Sequence, residues 1–142
     1  MSERKSFNSN LRTRLKGFGV AVVYLYGSEA LGVASRLSDL DVGVVFERPD
    51  LLREREERAR LRFELSQCLE PILVERGDRE IDLVFLQTAS PVLQFEAIHA
   101  GSPLFVADPI FKADYEATVI RDYLDIRPLV ETHYQAALDR IG

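Results

Sequence analysis

Seven consecutive apolar residues, Val20–Tyr26, end at the dipeptide Gly27-Ser28. The run is rich in β-branched and aromatic side chains, which is typical of a strand that is buried on both faces. A second apolar segment, Leu40–Phe46, follows after a spacer and predicts another strand. The chain must therefore build a sheet around these two segments, with a Gly-Ser turn at the end of the first one.

Acidic residues lie where the second strand begins. Asp39 and Asp41 flank Leu40, and residues two apart in a strand face the same side. Two carboxylates held that close repel each other, and a divalent cation removes the repulsion. Mg²⁺ suits such a site because it takes one or two carboxylates and completes its shell with water and substrate phosphates. Asp82, in the apolar segment 81–86, is a third acid that burial would make costly unless it is paired or metal-bound.

The Gly-Ser turn fits a phosphate in the same site. Glycine lets the backbone approach phosphate oxygens closely, and the Ser28 hydroxyl with the N–H groups of a following helix can bind a triphosphate. Taken singly, each feature also has a structural explanation, such as a turn, a solvent-facing acid, or a pair between Asp82 and Arg79. Together they indicate metal-dependent chemistry on a nucleoside triphosphate.

Helical periodicity and capping residues predict the remaining helices, and short apolar segments predict two further strands. In chain order these are a helix over 9–16, a short helix over 29–34, a helix over 51–70 with Asp50 as its N-cap, a strand over 81–86, a helix that begins at Ser90 and ends at an αL cap at Gly101, an edge strand over 104–106, and a helical region that begins at Asp108. Strands that alternate with helices indicate an α+β (α/β) fold on a small mixed sheet. We expect one domain, 1–142, with a core over about 9–108 and a helical tail over about 109–142.

Two helices carry predictions about which face is apolar. In the helix over 51–70, an inward stripe is expected from Ala59, Phe63, Leu65 and Leu69. In the tail, apolar residues recur at spacings of three and four, with an interruption or kink near Pro128. They are Val119, Tyr123, Ile126, Val130, Tyr134, Ala137 and Ile141. This stripe either packs on the protein's own sheet or uses its distal part to dock another subunit.

Composition excludes several classes of protein. The 142-residue chain has a net charge of -5, so it lacks the basic footprint of a nucleic-acid binder, and we expect no direct nucleic-acid partner. Cys68 is the one cysteine, which is compatible with a reducing cytosol and a cytoplasmic location. No apolar run approaches the ~20 residues of a membrane span, and no apolar core follows the basic N-terminus, so we expect neither a membrane anchor nor a secretory signal.

With these motifs the chain resembles the nucleotidyltransferase superfamily, whose members have a DNA polymerase beta-like fold. Within it, the chain is similar to the minimal nucleotidyltransferases (MNT), which include the MntA-like antitoxins encoded beside a HEPN-domain partner. The segments that carry the resemblance are YLYGSEALGVASRLSDLDVGVVF, IDLVFL, and PVLQFEAIHAGSPLF followed by RDYLD. It covers about residues 20–135.

The resemblance implies a role for each site residue. Gly27 and Ser28 would contact the triphosphate. Asp39 and Asp41 would be paired Mg²⁺ ligands. Asp82 would complete the metal site and is a candidate to accept the proton of the attacking hydroxyl.

The resemblance also implies a reaction and a partner. ATP would donate AMP to a hydroxyl, a tyrosine, of a HEPN-family RNase toxin, so that the chain acts as an antitoxin in a hetero-oligomer with that toxin; a homodimer stays open. Leu31 stands where many relatives have arginine, and Arg36 is a candidate substitute. An antitoxin that neutralises its partner by binding alone is therefore one alternative. Transfer to a small molecule such as an aminoglycoside is another, although the chain has no larger acceptor-binding domain.

Overall fold

The computed structural model describes residues 7–27, 40–74 and 80–141. Ser28, Asp39 and the helix expected over 29–34 lie outside the described residues, as do Leu31 and Arg36. Within the described ranges, a four-stranded sheet packs between two pairs of helices. The helices are α1 (Ser9–Gly17), α2 (Arg55–Leu73), α3 (Pro91–Ala100) and α4 (Pro109–Ile141). The strands are β1 (Val20–Tyr26), β2 (Leu40–Phe46), β3 (Ile81–Phe85) and β4 (Ser102–Val106).

The sheet is mixed and has the strand order β3-β2-β1-β4. The central strand β1 is antiparallel to both of its neighbours, whereas β2 and β3 are parallel. Parallel strands need a crossover, and α2 lies on the connection from β2 to β3. This architecture confirms the predicted α+β fold on a small mixed sheet.

Each face of the sheet has its own core. Every residue of β1 is buried, as expected for a strand without polar residues between two layers. One face packs against α1 and α2 through Leu15, Leu65 and Leu69. The other face packs against α3 and α4 through residues that include Tyr24 and Ala97.

The predicted inward face of α2 is wrong in part. Leu65 and Leu69 are buried, but Phe63 is 65% exposed and Ala59 is exposed as well. Leu61 is buried instead. Ala59 and Phe63 each precede a buried leucine by two residues, which rotates them by about 200° around the helix and away from the sheet.

The start of α2 also differs from the prediction. Asp50 lies within a short 3-10 turn, Pro49–Leu52, and does not cap the helix. The α-helix begins later, at Arg55, after Glu54. The proline sets the turn because its fixed φ suits a first helical position, and the chain re-enters a helix only after the turn ends.

The caps of α3 and α4 agree with the sequence at their N-terminal ends. The Ser90 hydroxyl accepts a hydrogen bond from the Leu93 N–H at 3.2 Å, and Asp108 Oδ1 accepts one from the Ile110 N–H at 2.9 Å. The predicted αL cap at Gly101 is wrong. Gly101 has φ -84° and ψ 167°, because the chain passes directly from α3 into β4 and must be extended there.

Helix α4 is continuous over 33 residues and passes through Pro128, so the helix is not interrupted there. Proline has no N–H, which removes one helical hydrogen bond at this position. The Thr132 hydroxyl donates to the Pro128 carbonyl at 2.8 Å. In the first half of the helix, Val119 is buried, as the stripe predicted. A search of the described helices finds none with the length and apolar character needed to cross a membrane.

Candidate active site

Asp41 and Asp82 are neighbours on adjacent strands. They are register partners in the parallel pairing of β2 with β3, and neighbouring strands lie about 4.8 Å apart. Asp41 is half-buried and Asp82 is exposed. The fold therefore places two carboxylates side by side, although they are far apart in the sequence.

Both carboxylates face the side of the sheet that α3 and α4 cover. Alternate residues of a strand share a face, so Asp41 shares one with Gly43 and Val45. Val45 packs in the core beneath α3 and α4. Asp82 shares a face with Val84, which packs against the same core. The two acids thus lie on the same face, at the end of the sheet where β1 ends and β2 begins.

The turn after β1 lies against one of these acids. Gly27 has φ +75°, a left-handed conformation that L side chains rarely adopt. A Cβ added at Gly27 would overlap Oδ2 of Asp41 and come within 3.2 Å of its Cγ. Only a glycine fits this position, because the turn lies directly against the Asp41 carboxylate.

Tyr26 is part of the same site, and the sequence reasoning did not single it out. It is the antiparallel register partner of Asp41 and is 4% exposed. Burial raises the pKa of Tyr26 to about 12, and the nearby carboxylates, Asp41 first, add to the shift. Its hydroxyl therefore lies near the carboxylates of the site and keeps its proton to a higher pH than a free tyrosine.

Glu96 is a further acid near this hydroxyl. It is exposed on α3, and its charge adds to the raised pKa of Tyr26, after the contributions of Asp41 and Asp82. Nothing in the sequence around Glu96 separates it from other helix-surface acids. Only the packing of α3 on the sheet brings it to this end of the molecule.

A side-chain amide holds the register of the two acidic strands. The amide of Gln87 donates to the Phe46 carbonyl and accepts from the Phe46 N–H, both at 2.8 Å. Gln87 follows β3 and Phe46 ends β2, so this pair of bonds extends the β2–β3 pairing beyond the last strand residue. It holds one end of the β2–β3 pairing, and the register of that pairing places Asp41 beside Asp82.

The edge strand β3 is also tied from the other face. The Arg62 guanidinium of α2 donates to the Leu83 carbonyl and lies 4.8 Å from the centre of the Phe85 ring. Both contacts restrain the strand that carries Asp82. An exposed edge strand with an acid would otherwise be held by β2 alone.

The residues present fit a hard divalent cation. Within 7–27, 40–74 and 80–141, no three His, Cys, Asp or Glu side chains gather closely enough to hold a metal ion. Of the three predicted ligands, this part of the chain contains Asp41 and Asp82. Two adjacent carboxylates are the number that Mg²⁺ typically takes from a protein when substrate phosphates supply the rest.

Comparison with known families matches most of this architecture. A model of the family described as polymerase beta, nucleotidyltransferase matches residues 10–110. That range contains all four described strands, α2 and α3, and all of α1 except its first residue. No curated protein sequence matches the chain.

Solved structures with a similar fold extend the likeness to nearly the whole chain. A toxin–antitoxin structure with AMP-PNP aligns with a TM-score of 0.62 and 24% identity, over 94% of this chain and 98% of that chain. A variant of the MntA-HpeT toxin–antitoxin complex aligns with a TM-score of 0.62 and 25% identity, over 94% and 97%. A tri-AMPylated Shewanella oneidensis HEPN toxin in complex with an MNT antitoxin aligns with a TM-score of 0.53 and 21% identity, over 92% and 94%.

Proposed function

Because the chain belongs to the polymerase beta nucleotidyltransferase family, we propose that it transfers AMP from ATP to a hydroxyl of a HEPN-family toxin and acts as its antitoxin. The observation that carries the proposal is the pair Asp41 and Asp82, in register on adjacent strands and lying beside the Gly27 turn. Paired carboxylates next to a glycine turn suit a triphosphate with its Mg²⁺.

The donor and the acceptor are inferred from the similar structures. One of them contains AMP-PNP, an analogue of ATP, and another contains an AMPylated HEPN toxin with its MNT antitoxin. These facts belong to those proteins. They support AMP as the transferred group, and a toxin hydroxyl, which we propose is a tyrosine, as the acceptor in this chain.

We propose that Asp41, Asp82 and Asp39 hold the metal. When bound, Mg²⁺ would offset the negative charge on the phosphate oxygens. The backbone at Gly27, with Ser28, would hold the triphosphate against the carboxylates. We propose that the acceptor from another protein approaches on the side of exposed Asp82.

The proposed transfer needs one proton acceptor. The acceptor hydroxyl oxygen attacks the α-phosphorus, the bond to the bridging oxygen breaks, and pyrophosphate leaves. We propose that Asp82 takes the hydroxyl proton, because it is the more exposed of the two described acids and so faces an incoming protein.

The proposed transfer is tested by measuring the mass of the partner protein. The purified chain is mixed with its HEPN partner, ATP and Mg²⁺, and intact-mass spectrometry follows the toxin. We expect a gain of the mass of AMP, lost with Asp41→Asn. The matched control is Asp114→Asn, an exposed aspartate on α4, which should leave the gain unchanged. Absence of the gain in the wild-type mixture would falsify the proposed transfer.

A second function has one observation in its favour. The resemblance to the minimal nucleotidyltransferases implies an arginine in many relatives at the position where this chain has Leu31. If the chain neutralises its partner by binding alone, toxin inhibition will survive Asp41→Asn. If transfer is required, inhibition will be lost with the mass gain while the complex still forms.

A further inference from the structure

The direction of α4 relative to the acidic site follows from two contacts. Just before the helix, the Ala107 N–H donates to the Ala21 carbonyl at 2.8 Å, near the start of β1. Further along, the Tyr24 hydroxyl donates to Glu116 at 2.7 Å. Helix α4 therefore runs alongside β1 towards the end of the strand where Gly27 lies.

The core contacts of α4 end soon after this point. The Tyr123 ring stacks on Phe95 of α3, with centroids 3.9 Å apart, and Ile126 is half-buried. Beyond Ile126 the helix continues for residues 127–141, which we call the arm. At 1.5 Å per residue the arm is about 22 Å long. It extends past the end of the sheet that carries Asp41 and Asp82.

The hydrogen bonds and ion pairs of the described side chains of the arm lie within the arm itself. Arg127 pairs with Glu131 at 2.9 Å, and the Gln135 amide donates to Asp139 at 3.1 Å, both within the helix. Apart from half-buried Ala137, the described side chains of the arm are exposed. A helical segment of about this length is marginal in water without tertiary contacts.

The exposed side chains of the arm are mostly polar but include two leucines. Leu129 is 72% exposed and Leu138 is 45% exposed, on either side of the stripe that the sequence continues from Val119 through Ala137. In the first half of α4 the same stripe packs on the core at Val119. The arm thus repeats a core-facing pattern where the described part of this chain supplies no core. An amphipathic helix with such a stripe can bind an apolar groove of another protein.

The position of the arm indicates which protein binds to it. A surface that covers the apolar side of the arm lies at the acidic end of the sheet, where an acceptor hydroxyl has to arrive. The family model ends at residue 110, yet the toxin–antitoxin chains align over up to 94% of this chain, which includes most of α4. Helix α4 is therefore what this chain shares with those chains beyond the catalytic domain.

We propose that the arm docks the toxin partner through an apolar surface of that protein and so holds its acceptor hydroxyl beside Asp41 and Asp82. This inference rests on the proposed function for the identity of the partner. It adds the surface that binds the partner and the end of the molecule from which the acceptor enters.

The test compares three variants that replace four exposed apolar residues. The arm variant is Leu129→Glu/Leu138→Glu. One control is Phe63→Glu, on the opposite side of the sheet; the other is Ile110→Glu, 73% exposed on the same helix but at its far end. All three replace exposed side chains, so circular dichroism should show that each variant folds. Calorimetry measures binding to the HEPN partner, and a thermal shift with AMP-PNP and Mg²⁺ reports the nucleotide site.

We expect the arm variant to bind the partner at least about tenfold more weakly, because a carboxylate would be buried in an apolar contact. Its KM for the partner should rise while kcat at saturating partner and the nucleotide thermal shift stay at wild-type values. Both controls should bind within about twofold of wild type, as expected for isolated surface changes.

The outcomes separate the two proposals. If the wild-type chain binds the partner but transfers no AMP, the proposed reaction fails and the binding comparison still decides the role of the arm. Equal binding by wild type and the arm variant would overturn the docking proposal, as would a loss of binding that a control shares. If the arm substitutions abolish self-association of the isolated chain and leave partner binding intact, the occupant is a second copy and the proposal is wrong. A wild-type chain that does not bind the HEPN partner also overturns it.

Discussion

Replacing Gly27 by alanine tests the geometry of the candidate site most directly. The residue has φ +75°, and an added Cβ would overlap Oδ2 of Asp41. The left-handed backbone costs an alanine about 1–2 kcal/mol relative to glycine. Since alanine also reduces the entropy of the unfolded chain by the equivalent of about 0.4–1 kcal/mol, the net backbone cost is roughly 1 kcal/mol.

The overlap adds a larger effect on activity than on stability. To reach ordinary van der Waals distance from the new methyl group, the Asp41 carboxylate must move by about 1 Å, and a misplacement of that size can cost about 100-fold in rate. We therefore expect AMP transfer to fall about 100-fold while the melting temperature falls by roughly 3–6 °C. Thermal unfolding and single-turnover transfer, measured on the same preparation, give both numbers.

Gly17→Ala is the matched control. Gly17 ends α1, and a Cβ there would meet nothing within 4 Å. We expect this change to leave transfer at the wild-type rate and to alter stability by no more than about 1 kcal/mol. The reasoning is refuted if Gly27→Ala transfers AMP as fast as wild type, or if its activity falls only in proportion to the unfolded fraction.

Three further predictions concern the supports of the site. Asp82→Asn should slow AMP transfer by at least about 100-fold in a mass-resolved assay, with a urea midpoint close to that of wild type because the side chain is exposed; normal turnover would remove Asp82 from the proposed chemistry. Gln87→Leu should lower the free energy of unfolding by about 2–3 kcal/mol in urea, because it leaves the N–H and the carbonyl of buried Phe46 without their partner; an unchanged midpoint would contradict this. Burial and then the hydrogen bond to Glu116 raise the pKa of Tyr24, so the native state keeps a proton that the unfolded chain releases above about pH 10. This contribution to stability is therefore fully present below about pH 10 and is lost as the pH rises above that value. Tyr24→Phe should make the free energy of unfolding, measured by urea titration between about pH 9 and 11, fall less steeply with pH. An equally steep loss would show that this hydroxyl is not the cause.

The sequence predicted most of the elements because local patterns specify them. The apolar composition of strand β1 predicts burial on both faces, and all of its residues are buried. The N-terminal caps of α3 and α4 were also readable, because a cap is a contact between residues two or three apart. The inward face of α2 was predicted only in part, since Ala59 and Phe63 lie about 200° around the helix from the buried Leu61 and Leu65.

The site divides in the same way. The sequence by itself determined that Gly27 and Asp41 lie at the ends of consecutive strands, because both belong to one local motif. Only the tertiary structure decided that Asp82 is the register partner of Asp41, since the parallel pairing of β2 and β3 depends on the path of α2 between them.

The same reason explains what pattern reasoning missed. Tyr26 and Glu96 share a site because α3 packs across the sheet, and neither residue has a local signal for that contact. Likewise, periodicity gave α4 an apolar stripe but not the residue at which the core beneath it ends. A stripe is a property of one helix, whereas burial depends on what other elements cover, so the exposed arm that continues past the acids is a result of the fold.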